Sequence, residues 1–159
     1  MAVSEYYREE YQAESGYSVI KIPRHKIKSI WRITEPLLLE GMRVAPALTM
    51  SAVLEGLRDE SIQLWAVLRD GIDSSELTAV FLTSIERDKG EWVISLYALA
   101  GHDARRWLHE CDRMMQIFAL SEGAKRVRMC GRKAWQRLLP RQFAITGTRG
   151  GHFVYERAA

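Results

Sequence analysis

EWVISLYALAGHDARRWLHECDRMMQIFALSEGAKRVRMCGRKAWQRLLPRQF, residues 91–143, is the stretch whose reading decides the architecture. Its first run, WVISLYAL, is apolar on both faces around Ser95, the pattern of a strand in the middle of a covered sheet. Gly101 breaks that run, and Asp103 is placed to cap a helix on which Trp107, Cys111, Met114, Met115, Phe118 and Ala119 form one broad stripe, with Gly123 near its end. RVRMC, residues 126–130, then predicts a strand with Val127 and Met129 on one face. A strand, a helix and a second strand of this kind make a crossover, so the two strands should be parallel neighbours that splay at their C-terminal ends. Lys133–Leu139 predicts a short amphipathic helix turning Trp135, Leu138 and Leu139 to the core, closed by Pro140.

Working outward, the pattern predicts strands over 17–22, 63–68, 77–85, 143–148 and 152–157, with 77–85 and the 91–99 run paired as an antiparallel hairpin through the charged turn 87–90. Residues 25–43 carry Ile27, Ile30, Trp31 and Ile33 at helical spacing, and Pro36 predicts a kink or a break into two short helices. Thr49 or Ser51 can cap a further helix bearing Val53, Leu54 and Leu57. The first 16 residues, with Tyr6, Tyr7 and Tyr11 set among acidic side chains, read as an N-terminal arm before a single domain over 17–159.

The formal net charge of +3 hides an asymmetry. Residues 1–100 hold 11 Lys and Arg against 15 Asp and Glu, a balance of −4; residues 101–159 hold 12 against 5, a balance of +7. Arginine supplies most of the excess, and its forked donors suit carboxylate and phosphate. Arg126 and Arg128 should share a strand face, and Lys133 and Arg137 a helix face, so with Arg132 they predict a partner- or anion-binding patch. No run approaches the ~20 apolar residues that span a bilayer, which excludes a helical membrane protein and predicts a soluble, intracellular one. Cys111 and Cys130 lack any metal-ligand spacing and read as buried free thiols, and the five tryptophans as members of one core. His102 falls at the strand-to-helix junction, where a groove would open. Glu86 and Asp88 lie in the hairpin turn, too far along the chain from any obvious partner to form a carboxylate pair, and no catalytic triad or phosphate-binding Gly-rich motif occurs.

The predicted order, strand, helices, three strands, helix, strand, helix and two strands, resembles the GNAT acetyltransferase fold over about residues 17–157. The resemblance implies an α+β domain with a mixed sheet of six or seven strands, helices on both faces and a central βαβ crossover. The family pattern of Asn, two residues, Ala, three residues, Tyr, then Gly-Phe falls on Gly131, Ala134, Leu138, Gln142 and Phe143. Only Ala134 and Phe143 keep the family residue. Leu138 stands where many members carry a Tyr proposed to protonate the departing thiolate of coenzyme A, and leucine has no proton to give. The family's pyrophosphate loop is glycine-rich, whereas this chain offers Gly101, His102, Asp103, Arg105 and Arg106, with no further glycine before Gly123. Asp103 would oppose phosphates at the helix N-terminus, and Arg105 and Arg106 would attract them.

The segment Gly131, Arg132 and Trp135, with Trp107 opening the long helix and the Phe118-Ala119 pair within it, also resembles GNAT-like proteins of tailed bacteriophages, many of which lack an intact coenzyme A loop. That resemblance implies a non-catalytic virion or virion-assembly protein, in the host cytoplasm or the phage particle, binding a protein partner and no cofactor. Two other readings stand beside it. One is an atypical N-acyltransferase that holds acetyl-CoA through Arg105 and Arg106. The other is a nucleic-acid-associated protein using Arg126, Arg128, Arg132, Lys133 and Arg137.

Overall fold

A computed structural model describes residues 16–43, 48–70, 75–149 and 152–159. In chain order they form β1 (Tyr17–Lys21), α1 (Arg24–Met42), α2 (Met50–Asp59), β2 (Ile62–Asp70), β3 (Ser75–Asp88), β4 (Glu91–Gly101), α3 (Ala104–Glu122), β5 (Arg126–Gly131), a 3₁₀ turn (Lys133–Arg137), β6 (Ala144–Arg149) and β7 (His152–Ala158). The arm tyrosines Tyr6, Tyr7 and Tyr11 lie outside the described residues.

All seven strands join one sheet in the order β1-β2-β3-β4-β5-β7-β6. Every neighbouring pair is antiparallel except β4 and β5, which run parallel as the crossover requires. α3 covers one face, laying Trp107, Cys111, Met114, Met115 and Phe118 on Trp65, Phe81, Ile94, Val127 and Met129. Trp65 stacks on Phe81 with ring centroids 5.8 Å apart and meets Phe118 edge-on at 5.2 Å. α1 and α2 cover the other face, where Leu38, Met42, Val53 and Leu57 pack on Leu64, Val80, Leu82 and Ala98. Each Val, Leu, Ile, Phe or Met among these, removed from water, contributes roughly 1.5–3 kcal/mol. Residues of β4 point into both clusters, which is why its sequence is apolar at nearly every position.

Local choices follow side-chain chemistry. Thr49 caps α2, its hydroxyl accepting the Ala52 N–H at 3.2 Å. Gly123 ends α3 in the left-handed conformation, φ 71°. Pro36, in contrast, neither breaks α1 nor splits it into two helices. The proline is exposed, so water can serve the carbonyl whose partner it removes, while Leu38 and Met42 beyond it are held on the sheet.

The segment after β5 also departs from expectation. Lys133–Arg137 is a 3₁₀ turn with no fully buried residue, and Trp135, Leu138 and Leu139 pack against the core only in part. Arg132 leads in from extended backbone and Pro140 follows closely, leaving five residues, a length suited to 3₁₀ geometry. Trp92 is another exception to a shared tryptophan core. It is half exposed and lies under the Arg87 guanidinium, 4.8 Å from the ring centroid.

Candidate functional site

The ladder between β4 and β5 covers only Val93–Leu96 against Arg126–Met129. Beyond it β4 continues to Gly101 beside β3 alone, and β5 to Gly131 beside β7 alone. The strands therefore part, and a cleft of about 620 Å³ opens between them. Its walls are Ser95–Gly101 of β4 and Met129–Gly131 of β5, with Glu40 and Gly41 of α1, Ala104 and Trp107 of α3, Trp135, and Arg149 and His152 of the last hairpin.

β4 is irregular where it faces this cleft. Val80 pairs with Ala100 and Leu82 with Tyr97, so two steps of β3 span three of β4, and the extra residue is accommodated by Ala98 at φ 55°. A β-branched or bulky residue would be strained there, and a bulge of this kind re-aims the chain. It turns both Tyr97 and Ala98 toward α1 and returns Leu99 to the α3 side. α1 presses directly on the bulge: a Cβ on Gly41 would come 2.3 Å from the Ala98 carbonyl oxygen, so only glycine fits.

At the strand-to-helix junction, Gly101 is required by packing, since a Cβ there would meet the Thr78 carbonyl oxygen at 2.4 Å. His102 has its N–H on the Thr78 carbonyl and its own carbonyl taken by the Trp107 indole N–H at 2.7 Å; its ring is exposed and does not line the cleft. Asp103 occupies the N-cap position of α3 in the left-handed conformation, φ 59°, with no capping hydrogen bond from its side chain. The expected side-chain cap is therefore absent, because the rotated backbone does not aim the carboxylate at the helix amides. Arg105 and Arg106 are exposed in the first turn, and their side chains have no ion-pair partner among the described residues.

The arginines expected to form one patch separate into two groups. Arg126 bonds Glu156 at 2.6 Å, Asp88 at 3.0 Å and Glu91 at 3.3 Å. Arg128 is 5 % exposed and donates to Asp88 and to Glu156 at 3.1 Å, with Glu86 at 3.8 Å. These two are neutralised and do not present free positive charge. Their face is shared as the strand period demands, but β3 and β7 place carboxylates on it. Arg132, Lys133 and Arg137 are exposed, yet 3₁₀ geometry, with about three residues per turn, does not align positions four apart, so Lys133 and Arg137 do not share a face. Hydrogen bonds from Arg126, opposed by burial and helped by Arg128, hold the Asp88 carboxyl below its ordinary value. Burial works to raise Glu156, but Arg126, Thr146 and Arg128 outweigh it and leave it lowered.

Sequence reasoning missed the polar side of the cleft. Tyr97 lines it, its phenol pushed up to about 12, chiefly by burial, with Ser84 as hydrogen-bonding neighbour and the Glu86 charge adding to the rise. The Ser84 hydroxyl donates to Glu86 at 3.0 Å. Phenol, hydroxyl and carboxylate thus come together from β3 and β4, a pairing that the bulge, invisible in the sequence pattern, sets up. Cys111 is buried and its thiol raised by burial. Cys130, expected to be buried, is half-buried on the cleft wall, its thiol also raised mainly by burial. The described residues contain no cluster that could hold a metal ion and no helix long and apolar enough to cross a membrane.

The fold as a whole is matched in solved structures. FeeM, an N-acyl amino acid synthase from uncultured soil microbes, superposes with a TM-score of 0.55 at 9 % identity, over 89 % of this chain and 90 % of that one. The chain has the fold of the GNAT acetyltransferases. A GNAT-family acetyltransferase from Streptococcus agalactiae gives a TM-score of 0.55 at 10 % identity over 91 % and 96 % of the two chains. FdhC, a nucleotide-linked sugar GNAT, gives 0.56 at 5 % identity over 91 % and 87 %. No protein-family model and no curated protein sequence matches the chain.

Proposed function

We propose that this GNAT-fold protein is an atypical N-acyltransferase that receives an acyl thioester, such as acetyl-CoA, in the cleft between β4 and β5. The observation that carries the reading is the end of the β4–β5 ladder at Leu96 and Met129, which leaves the edge of β4 from Tyr97 onward without a bonded strand on that side of a cavity of about 620 Å³. Free strand edges offer main-chain donors and acceptors to an extended ligand carrying amides. Ala104, at the N-terminus of the 19-residue helix α3, also faces the cleft, and Arg105 and Arg106 follow it. The positive end of a helix plus two cations attracts an anionic group there, opposed by Asp103.

A bound thioester supplies an activated carbonyl. In the transfer an amine nitrogen bonds to that carbon, the carbon–sulfur bond breaks, and the proton lost by the amine balances the one gained by the thiolate. Tyr97, which lines the cleft and carries its proton at neutral pH as any phenol does, serves as the donor that Leu138 cannot be. Glu86, one hydroxyl away through Ser84, is the carboxylate that takes up the amine proton. A positioned acid of this kind contributes roughly 10²–10⁴-fold, so Tyr97→Phe should lower kcat by at least about 10² while leaving the fold intact.

The test is titration calorimetry with acetyl-CoA and longer acyl-CoA thioesters, followed by measurement of free thiol released with a panel of amines. Binding that weakens when Arg105 and Arg106 are changed together to Ala, and thiol release that requires an amine, support transfer. No heat at about millimolar thioester overturns it.

A second reading has its own observations: Leu138 replaces the family's acid, and Gly101 serves packing against β3. These favour a non-catalytic interaction protein docking through Arg132, Lys133 and Arg137; the phage particle or host cytoplasm rests on the sequence resemblance alone. None of the three structures named above is described as a bacteriophage protein. A nucleic-acid role would draw on the same three exposed cations and would show as binding that falls steeply with salt.

A further inference from the structure

The parallel run of β4 and β5 brings the segments that follow them to one end of the sheet, and β7, antiparallel to β5, starts at that same end. Arg105 and Arg106 follow β4, Arg132, Lys133 and Arg137 follow β5, and Arg149, paired with His152 across the last hairpin, completes the set. All are exposed, and none has an ion-pair partner among the described residues. Asp103 and Glu40 offset them only in part. Like charges gathered at one end repel one another and add nothing to stability, in contrast to Arg126 and Arg128, so the arrangement suits a partner rich in carboxylate or phosphate. Arg132 and Arg149 line the cleft, whereas Lys133 and Arg137 do not. A thioester small enough to sit within the cleft therefore does not account for the outer two cations.

We propose that the acyl donor reaches the cleft on a small acidic carrier protein, which bears the acyl group as a thioester on a phosphopantetheine arm and docks on this cationic rim. This assignment of a partner rests on the acyltransferase reading. The arm has the same amides and the same thioester as the corresponding part of coenzyme A, so it lies equally well along the edge of β4 beyond Leu96. It differs at its far end, where protein takes the place of the nucleotide. Coenzyme A presents a diphosphate there, and the amides of a glycine-rich turn are the fitted site for that group. Between Gly101 and Gly123 this chain has no glycine, and Gly101 itself is packed on the Thr78 carbonyl. A carrier needs no such turn, because its carboxylates meet the arginine and lysine side chains of the rim, contacts that set orientation and association rate. In the transfer the amine nitrogen bonds to the acyl carbon, the carbon–sulfur bond breaks, and the arm's thiol leaves with a proton balanced by the one the amine gives up.

The experiment titrates the whole chain by calorimetry with a bacterial acyl carrier protein charged with an acetyl-phosphopantetheine arm, with acetyl-CoA, with acetyl-pantetheine and with duplex and single-stranded DNA. Thiol release from each thioester is then followed with a panel of amines. The expected result is binding of the charged carrier about tenfold or more tighter than that of acetyl-CoA, weakening about tenfold between low salt and about 0.5 M. The ratio of the two affinities should fall about tenfold when Lys133→Glu is combined with Arg137→Glu. The comparison of donors on the unaltered protein needs no variant. Acetyl-CoA or acetyl-pantetheine bound and turned over as well as the charged carrier overturns the carrier assignment and leaves acyl transfer standing. Carrier binding that depends on Lys133 and Arg137, with no thiol released to any amine, keeps the docking surface and overturns the transfer. DNA bound as tightly as the carrier gives the rim to nucleic acid and overturns the proposal. Absence of binding by every probe overturns both.

Discussion

Arg126 and Arg128 on β5, and Arg105 and Arg106 at the start of α3, are chemically the same side chains at the two ends of one crossover helix. The first pair is surrounded by Asp88, Glu91, Glu156 and Glu86, and Arg128 is buried. The second pair stands in solvent with no ion-pair partner among the described residues, beside a helix terminus that already repels cations. Charge bonded within the fold is spent on stability. Charge held in an unfavourable place without a partner is available to a ligand. The contrast therefore separates the arginines that hold the sheet from those that can face a thioester's phosphates.

Replacing Arg128 with Ala is the most severe test of this contrast. Removing the buried Arg128 leaves Asp88 and Glu156, partly solvated and still bonded to Arg126, with less compensation, which costs roughly 1–3 kcal/mol. A drop in unfolding free energy of that size is expected, seen as a lower chemical denaturation midpoint with the m-value unchanged; a change under about 0.5 kcal/mol would mean that the cluster is solvated and unimportant.

Acid provides the next test. Asp88 and Glu156 lie below their ordinary values of 3.8 and 4.5 in the folded protein, so the native state binds fewer protons than the unfolded chain. Their contribution is complete above those unfolded values and is lost as pH falls through the depressed native ones. Stability should decline from near pH 5 downward, and the decline should flatten in Arg128→Ala. An unchanged slope in that variant would break the link.

Arg105→Ala with Arg106→Ala should behave in the opposite way. Melting should move little, within about 0.5 kcal/mol, as for exposed residues without partners. Acyl-CoA affinity should fall about tenfold, or about 1.4 kcal/mol. Smallest of all is Arg137→Glu, for which a stability change inside about 0.5 kcal/mol is expected, with an effect only on a partner that docks at that turn. A large loss of stability there would show the 3₁₀ turn to be part of the core.

The comparison also shows where the sequence could be read. The crossover from β4 through α3 to β5 was legible because two apolar runs of strand length bracket a helical stripe ending at Gly123, all within local reach. Element ends were less so: β3 runs through Glu86 to Asp88, extending the strand into what reads as a charged turn. The acid partners of Arg126 and Arg128 could not be found by spacing, since Asp88 and Glu156 lie 38 and 30 residues from Arg126 and 40 and 28 from Arg128. Leu138 and the glycine-poor stretch after Gly101 are differences from a family pattern that the sequence alone displays. Tyr97 was not read at all, for alternation alone does not put it on the same side as Ala98.

By itself the sequence determined the order of elements, the parallel central pair and the helices that cover both faces, because hydrophobic period and capping chemistry act over a few neighbouring residues. It also determined what is lacking at Leu138 and between Gly101 and Gly123. Only the tertiary structure decided which charges are free. The bulge at Ala98, the close approach of Gly41 and the register of β5 against β7 bring distant groups together, and whether an arginine is neutralised or exposed depends on distances that no local pattern encodes.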